Sequence, residues 1–79
     1  MQLEVRVFAG LHRYIQGAGS GQSLNFELKE GTDGYALLNS LNIPLQEAFV
    51  FMVNGRREDL AQSLHNGDRI GIFPPVGGG

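Results

Sequence analysis

The chain has no cysteine and no tryptophan, and Lys29 is its only lysine. Without cysteine there are no disulfides, no zinc–thiolate sites and no thiol nucleophile. Positive charge is sparse: six Lys and Arg stand against eight Asp and Glu, for a net charge of −2. The basic residues are scattered, with none of the clustering that marks a nucleic-acid binder. Long apolar runs are missing too. The longest, Ala48 to Val53, falls far short of the ~18 residues that suggest a membrane span. The start, Met1-Gln2-Leu3-Glu4-Val5, alternates apolar and polar residues. It lacks the basic region and apolar block of a signal peptide. These absences fit a cytoplasmic protein that binds neither nucleic acid nor membrane. At 79 residues the expectation is one domain over residues 1–79, with a small core.

Catalytic sets are also lacking. His12 and His65 lie far apart and outside any metal-ligand spacing, so both read as surface imidazoles and no metal is expected. Asp33, Asp59 and Asp68 fall at cap or turn positions, where Asp has a local structural task. Ser20, Ser23, Ser40 and Ser63 have no nucleophile-elbow context. The Gly17-Ala18-Gly19-Ser20-Gly21 stretch has phosphate-loop spacing, but it leads into a strand pattern and lacks Gly-Lys-Ser/Thr. It reads as a plain loop. Arg56-Arg57 reads as a solvated turn, with steering of a partner as the alternative.

What is present is a clear alternation of elements. Leu3, Val5 and Val7 alternate with Glu4 and Arg6, as in a strand with one buried face. Leu11 to Ile15 fits one helical turn. Leu24, Phe26 and Leu28 repeat the period-two pattern and suggest the return arm of a hairpin. Thr32 is a good N-cap for a helix of about ten residues, with Asp33 placed well on its dipole. Leu37, Leu38 and Leu41 form its apolar face, Asn42 suits a left-handed C-cap, and Pro44 forbids continuation. Phe49 to Val53 is the most apolar strand, buried on both faces or carrying an exposed apolar contact surface. Asn54-Gly55 is a strong hairpin signal, leading to a short polar strand over Arg56 to Asp59. Leu60 to Leu64 is a turn or short helix. Arg69 to Phe73 is the last strand, with Ile70 and Ile72 on one face.

The order β-β-α-β-(β)-β makes an α+β domain, a mixed four- to five-stranded sheet with one helix packed on one face. The simplest closure places the last strand parallel to the first, in the middle of the sheet. The remaining residues, Pro74-Pro75-Val76-Gly77-Gly78-Gly79, then leave from the sheet's centre as an extended tail over 74–79. The prolines end strand pairing and hold the chain extended. A terminal glycine thread has no Cβ and can pass down a narrow channel, presenting the Gly79 carboxylate to another active site. The alternative for this ending is a frayed terminus.

A free carboxylate has a poor leaving group, so it needs an ATP-using partner to make an acyl-adenylate. A sulfide or persulfide sulfur that displaces AMP leaves a C-terminal thiocarboxylate. A lysine amine leaves an isopeptide bond. The chain is then a sulfur carrier or a protein tag; a plain interaction module with an incidental tail is the third reading.

Val7-Phe8-Ala9, Val53-Asn54-Gly55, Gly67-Asp68-x-Ile and Phe73-Pro74-Pro75-Val76-Gly77-Gly78-Gly79 together resemble the MoaD/ThiS-type sulfur carriers of the β-grasp, ubiquitin-like superfamily. The likeness is greatest to the MoaD type, the small subunit of molybdopterin synthase. It covers nearly the whole chain. The resemblance implies a β-grasp fold and a thiocarboxylate at Gly79, with Gly78 beside it. It implies no bound cofactor, ATP being used by an adenylating, E1-like partner of the MoeB/ThiF type. It also implies a larger catalytic subunit, such as that of molybdopterin synthase, into which the tail inserts. The chain alone is not expected to be an enzyme. An apolar patch on the open sheet face serves both partners in that family. Here it maps to Phe8, Leu60 and Phe73, with Pro74, Pro75, Val76 and Gly77 leading to the reactive end. Ordinary packing is the competing account of Phe8 and Phe73. The sulfur acceptor implied is a molybdenum or tungsten pterin, with thiamin or tRNA thiolation as alternatives.

Overall fold

The structure, a computed structural model, describes residues 1–15, 17–19 and 21–75. Five strands form one sheet: β1 (Gln2–Val7), β2 (Ser23–Glu27), β3 (Val50–Val53), β4 (Arg56–Arg57) and β5 (Arg69–Phe73), in the order β2-β1-β5-β3-β4. One helix, α1 (Gly34–Ser40), and short 3₁₀ turns at Leu11–Tyr14 and Leu45–Glu47 complete the fold. β1 pairs antiparallel with β2 and parallel with β5, and β5 pairs antiparallel with β3. The last strand therefore lies between β1 and β3, as the sequence pattern suggests.

The alternating pattern sends one residue set to the helix. Leu3, Val5 and Val7 from β1 and Ile70 and Ile72 from β5 are almost fully buried. Phe51 of β3 joins them, and Leu37 and Leu38 of α1, with Leu41 just past its end, close the core from above. Removing each such aliphatic side chain from water is worth about 1.5–3 kcal/mol. That burial holds a helix of this length, which has too little intrinsic stability to form alone.

The helix is shorter than its pattern suggests, seven residues rather than about ten, and its cap is one residue later. Asp33, not Thr32, is the N-cap: its carboxylate accepts the Ala36 N–H at 2.9 Å. The Thr32 hydroxyl instead donates to the Lys29 carbonyl at 2.7 Å, closing the preceding turn. Asn42 adopts a left-handed φ of 61° just past the helix end, as a C-terminal cap requires.

The Asn54-Gly55 turn has positive φ at both positions, 53° and 82°. That is the twist-matched geometry of a two-residue hairpin. Asn54 also ties the hairpin to β5. Its Oδ1 accepts the Arg69 N–H at 2.9 Å, and its Nδ2 donates to Asp68 Oδ1 at 2.9 Å. The other Asp68 oxygen accepts the His65 N–H at 2.8 Å, so the nearly buried carboxylate joins two turns. β4 is only two residues long, ending before Glu58, and β3 begins after Phe49.

His65 is exposed, as expected, but His12 is not a simple surface imidazole. It follows Leu11, whose side chain is fully buried, and is itself half-buried. Its Nδ1 is shielded from solvent and has no partner among the described residues.

Candidate functional site

Helix α1 covers one face of the sheet. The other face carries the opposite residues of each strand, and the pairing registers arrange them in rows. Arg6 stands beside Gly71, Gly71 beside Met52, and Met52 beside Arg57. Two residues further along β5, Phe73 lies beside Val50. Phe8 continues the line of β1, its N–H donating to the Ile72 carbonyl at 3.1 Å. The Phe8 and Phe73 rings stack with centroids 4.4 Å apart and planes within 3° of parallel. Adjacent rows on one face are about 7 Å apart, twice the rise per residue.

The open face therefore has an apolar row of Phe8, Phe73 and Val50 at the end where β5 finishes. Phe49, 62% exposed, and Pro74 extend it into a shallow apolar groove that also touches Met52. The Arg57 guanidinium lies 6.0 Å from the Phe49 ring centre. Phe8 and Phe73 are half-buried, Pro74 is buried and Pro75 exposed. The chain thus leaves the middle strand of the sheet beside its own apolar row.

Leu60 lies apart from this row. Its carbonyl accepts the Gly34 N–H at 2.7 Å, at the start of α1, and its side chain packs against the core cluster. The spacing before it is too irregular to read its facing from sequence. Val76, Gly77, Gly78 and Gly79 lie outside the described residues. Phe49, Val50 and Met52 belong to the groove and are not singled out by the motifs. The signal available for Val50 and Met52 is the parity of the Ala48 to Val53 run, which sets them opposite the buried Phe51, while Phe49 lies just ahead of β3.

A half-open sheet with one helix on one face and a terminal segment leaving its central strand is the ubiquitin-like β-grasp architecture. The chain belongs to the ThiS family, whose model matches residues 5–79. It is similar to SAMP1 from Haloferax volcanii, at 22% identity over 100% of both chains with a TM-score of 0.75. The Pyrococcus furiosus protein assigned as molybdopterin converting factor subunit 1 is 27% identical over 96% of this chain and 99% of that one, with a TM-score of 0.72. A complex of subunits 1 and 2 of molybdopterin-converting factor from Helicobacter pylori gives 25% identity over 100% of both chains and a TM-score of 0.61. No match was found among curated proteins. The chain is of the MoaD/ThiS type, a group of small ubiquitin-like sulfur carriers. Among the described residues, no group of three or more His, Asp or Glu could hold a metal ion, and no helix is long and apolar enough to cross a membrane.

Proposed function

We propose that the protein is a sulfur carrier whose reactive group is the carboxylate of Gly79. An E1-like adenylating enzyme uses ATP to form the acyl-adenylate and release pyrophosphate. Sulfide sulfur then displaces AMP and leaves a thiocarboxylate. The carrier supplies the sulfur and a rigid base for the tail, and a larger subunit supplies the catalytic groups. The stacked Phe8–Phe73 pair, with Val50 and Phe49, is the surface on which those partners dock.

The observation that carries this reading is the family match, which runs from β1 through the closing glycines. The topology supports it: β5 is held on both sides, so the tail starts from a fixed point rather than from a sheet edge. The likeness to molybdopterin-converting factor subunits favours a pterin as the sulfur acceptor. A protein-modifier role shares the adenylation step and differs in its nucleophile, a lysine amine on another protein.

The test is pyrophosphate exchange into ATP, catalysed by the adenylating enzyme of the same organism. Exchange should depend on the full chain and disappear when Gly78 and Gly79 are deleted. Exchange that persists after the deletion would contradict the proposal.

A further inference from the structure

Beside the apolar row the open face holds a second feature that the docking reading does not use. It is a cleft of about 290 Å³ whose floor is Gly71. Phe8, Phe73 and Met52 wall it, and Arg6, Arg69 and Glu4 stand at its rim. Glycine weakens a strand interior, and one found there marks a bulge, a bend or a close approach by something else. Here the backbone does not require it, since Gly71 pairs in register with both neighbouring strands and has no positive φ. Packing does not require it either. An added Cβ would lie 3.4 Å from Phe73 Cε1, 3.6 Å from Met52 Cβ and 3.9 Å from Phe8 Cε2, at ordinary contact distances. The missing side chain therefore serves the cleft.

The charge around it is unbalanced. Arg6 and Arg69 are exposed, and neither takes part in an ion pair among the described residues. Glu4 is drawn the other way, its Oε2 accepting the Ser23 hydroxyl of β2 at 2.9 Å. The chain as a whole is acidic, so these two guanidinium groups are a local reversal. A guanidinium fork matches a carboxylate and pairs with it at interfaces.

We infer that the Gly71 cleft receives an acidic side chain of a partner protein, paired with Arg6 and Arg69. That partner places its apolar group on Phe8 and Phe73 at the same time. The inference rests on the proposal that this face docks the carrier's partners. It adds the partner's chemistry: a carboxylate set about one row, ~7 Å, from its apolar contact, on the side away from the tail. Paired charges at such a position fix orientation and speed encounter.

The experiment is calorimetric titration of the full chain with the adenylating enzyme of the same organism, at low and at high salt. Arg6→Glu and Arg69→Glu should each weaken binding about tenfold or more and flatten its salt dependence. Gly71→Leu, which fills the cleft, should also weaken binding, with circular dichroism confirming the fold. Arg56→Glu, a change of equal charge on the edge strand, should stay within about twofold of wild type. An Arg6→Glu/Arg69→Glu double variant that binds like wild type, while Phe73→Ala loses binding, would overturn the inference and leave the docking surface standing. A wild-type chain that does not bind the enzyme would overturn both.

Discussion

Phe8 and Phe73 stack face to face from adjacent parallel strands, 4.4 Å between centroids, on the side of the sheet that the helix leaves bare. The two parallel rings make a flat apolar plate at the point where the chain leaves β5. Phe73→Ala should lower affinity for the adenylating enzyme about ten- to a hundredfold, as interface anchors do. It should lower the thermal midpoint by only a few degrees, because the ring is half-buried. Titration calorimetry and thermal melts on one sample check both. A folded Phe73→Ala that binds like wild type would remove the plate from the interface.

Gly34 is fixed by Leu60. An added Cβ there would lie 2.8 Å from both Leu60 Cδ2 and the Leu60 carbonyl oxygen, and 2.9 Å from its Cα. Because backbone is involved, a rotamer change cannot relieve the overlap. Gly34→Ala should cost about 1–3 kcal/mol despite the better helix propensity of alanine. For a domain of this size each kcal/mol moves Tm by roughly 4–8 °C. A variant as stable as wild type by urea denaturation would show that Leu60 is not held there.

Asn54 and Asp68 join the β3–β4 turn to the start of β5 through one side-chain hydrogen bond, flanked by bonds to the Arg69 and His65 N–H groups. Asn54→Ala leaves Asp68 Oδ1 and the Arg69 N–H short of a partner, at about 1–3 kcal/mol. It also places alanine at a φ of 53°. Asp68→Ala should cost a similar amount. The double variant should cost less than the sum, with a coupling of about 0.5–3 kcal/mol in a denaturant-based cycle. Strict additivity would mean that the two side chains act independently.

Asp33→Ala should destabilise the protein by about 1 kcal/mol, through loss of the cap on Ala36. Thr32→Ala should cost less, since its hydroxyl bonds an exposed turn carbonyl. Urea melts of both variants rank the two residues. The opposite order would make Thr32 the cap that the sequence alone suggests.

That cap shows where sequence reading stops. Thr32 and Asp33 are both good caps, and only the path of the chain after Gly31 decides between them. The strands β1, β2 and β5 are legible because their apolar residues alternate, β3 because it is a continuous apolar run, and Asn54-Gly55 marks its own turn. The central place of β5 follows from the last strand needing a partner, which the simplest closure supplies beside β1. The facing of Leu60 was not legible, because it follows a polar stretch with no period. The Gly71 cleft was not legible either: its walls come from β1, β3 and β5, and only the register brings Arg6, Gly71 and Met52 into one row. Their motifs mark Phe8 and Phe73, whereas the contact between them depends on the parallel pairing.

The most direct test of sulfur carriage is the mass of the tail itself. Protein purified from its native cell without a C-terminal tag is digested, and the fragment ending in Gly79 is weighed. Sulfur in place of one carboxylate oxygen should appear as a mass gain confined to Gly77–Gly79 and lost on hydrolysis. That location separates it from oxidation of Met1 or Met52, which adds nearly the same mass. A tail that stays an unmodified carboxylate, even with ATP, sulfide and the adenylating enzyme, would contradict sulfur carriage. A Gly79–lysine branch on another protein would make the chain a modifier instead.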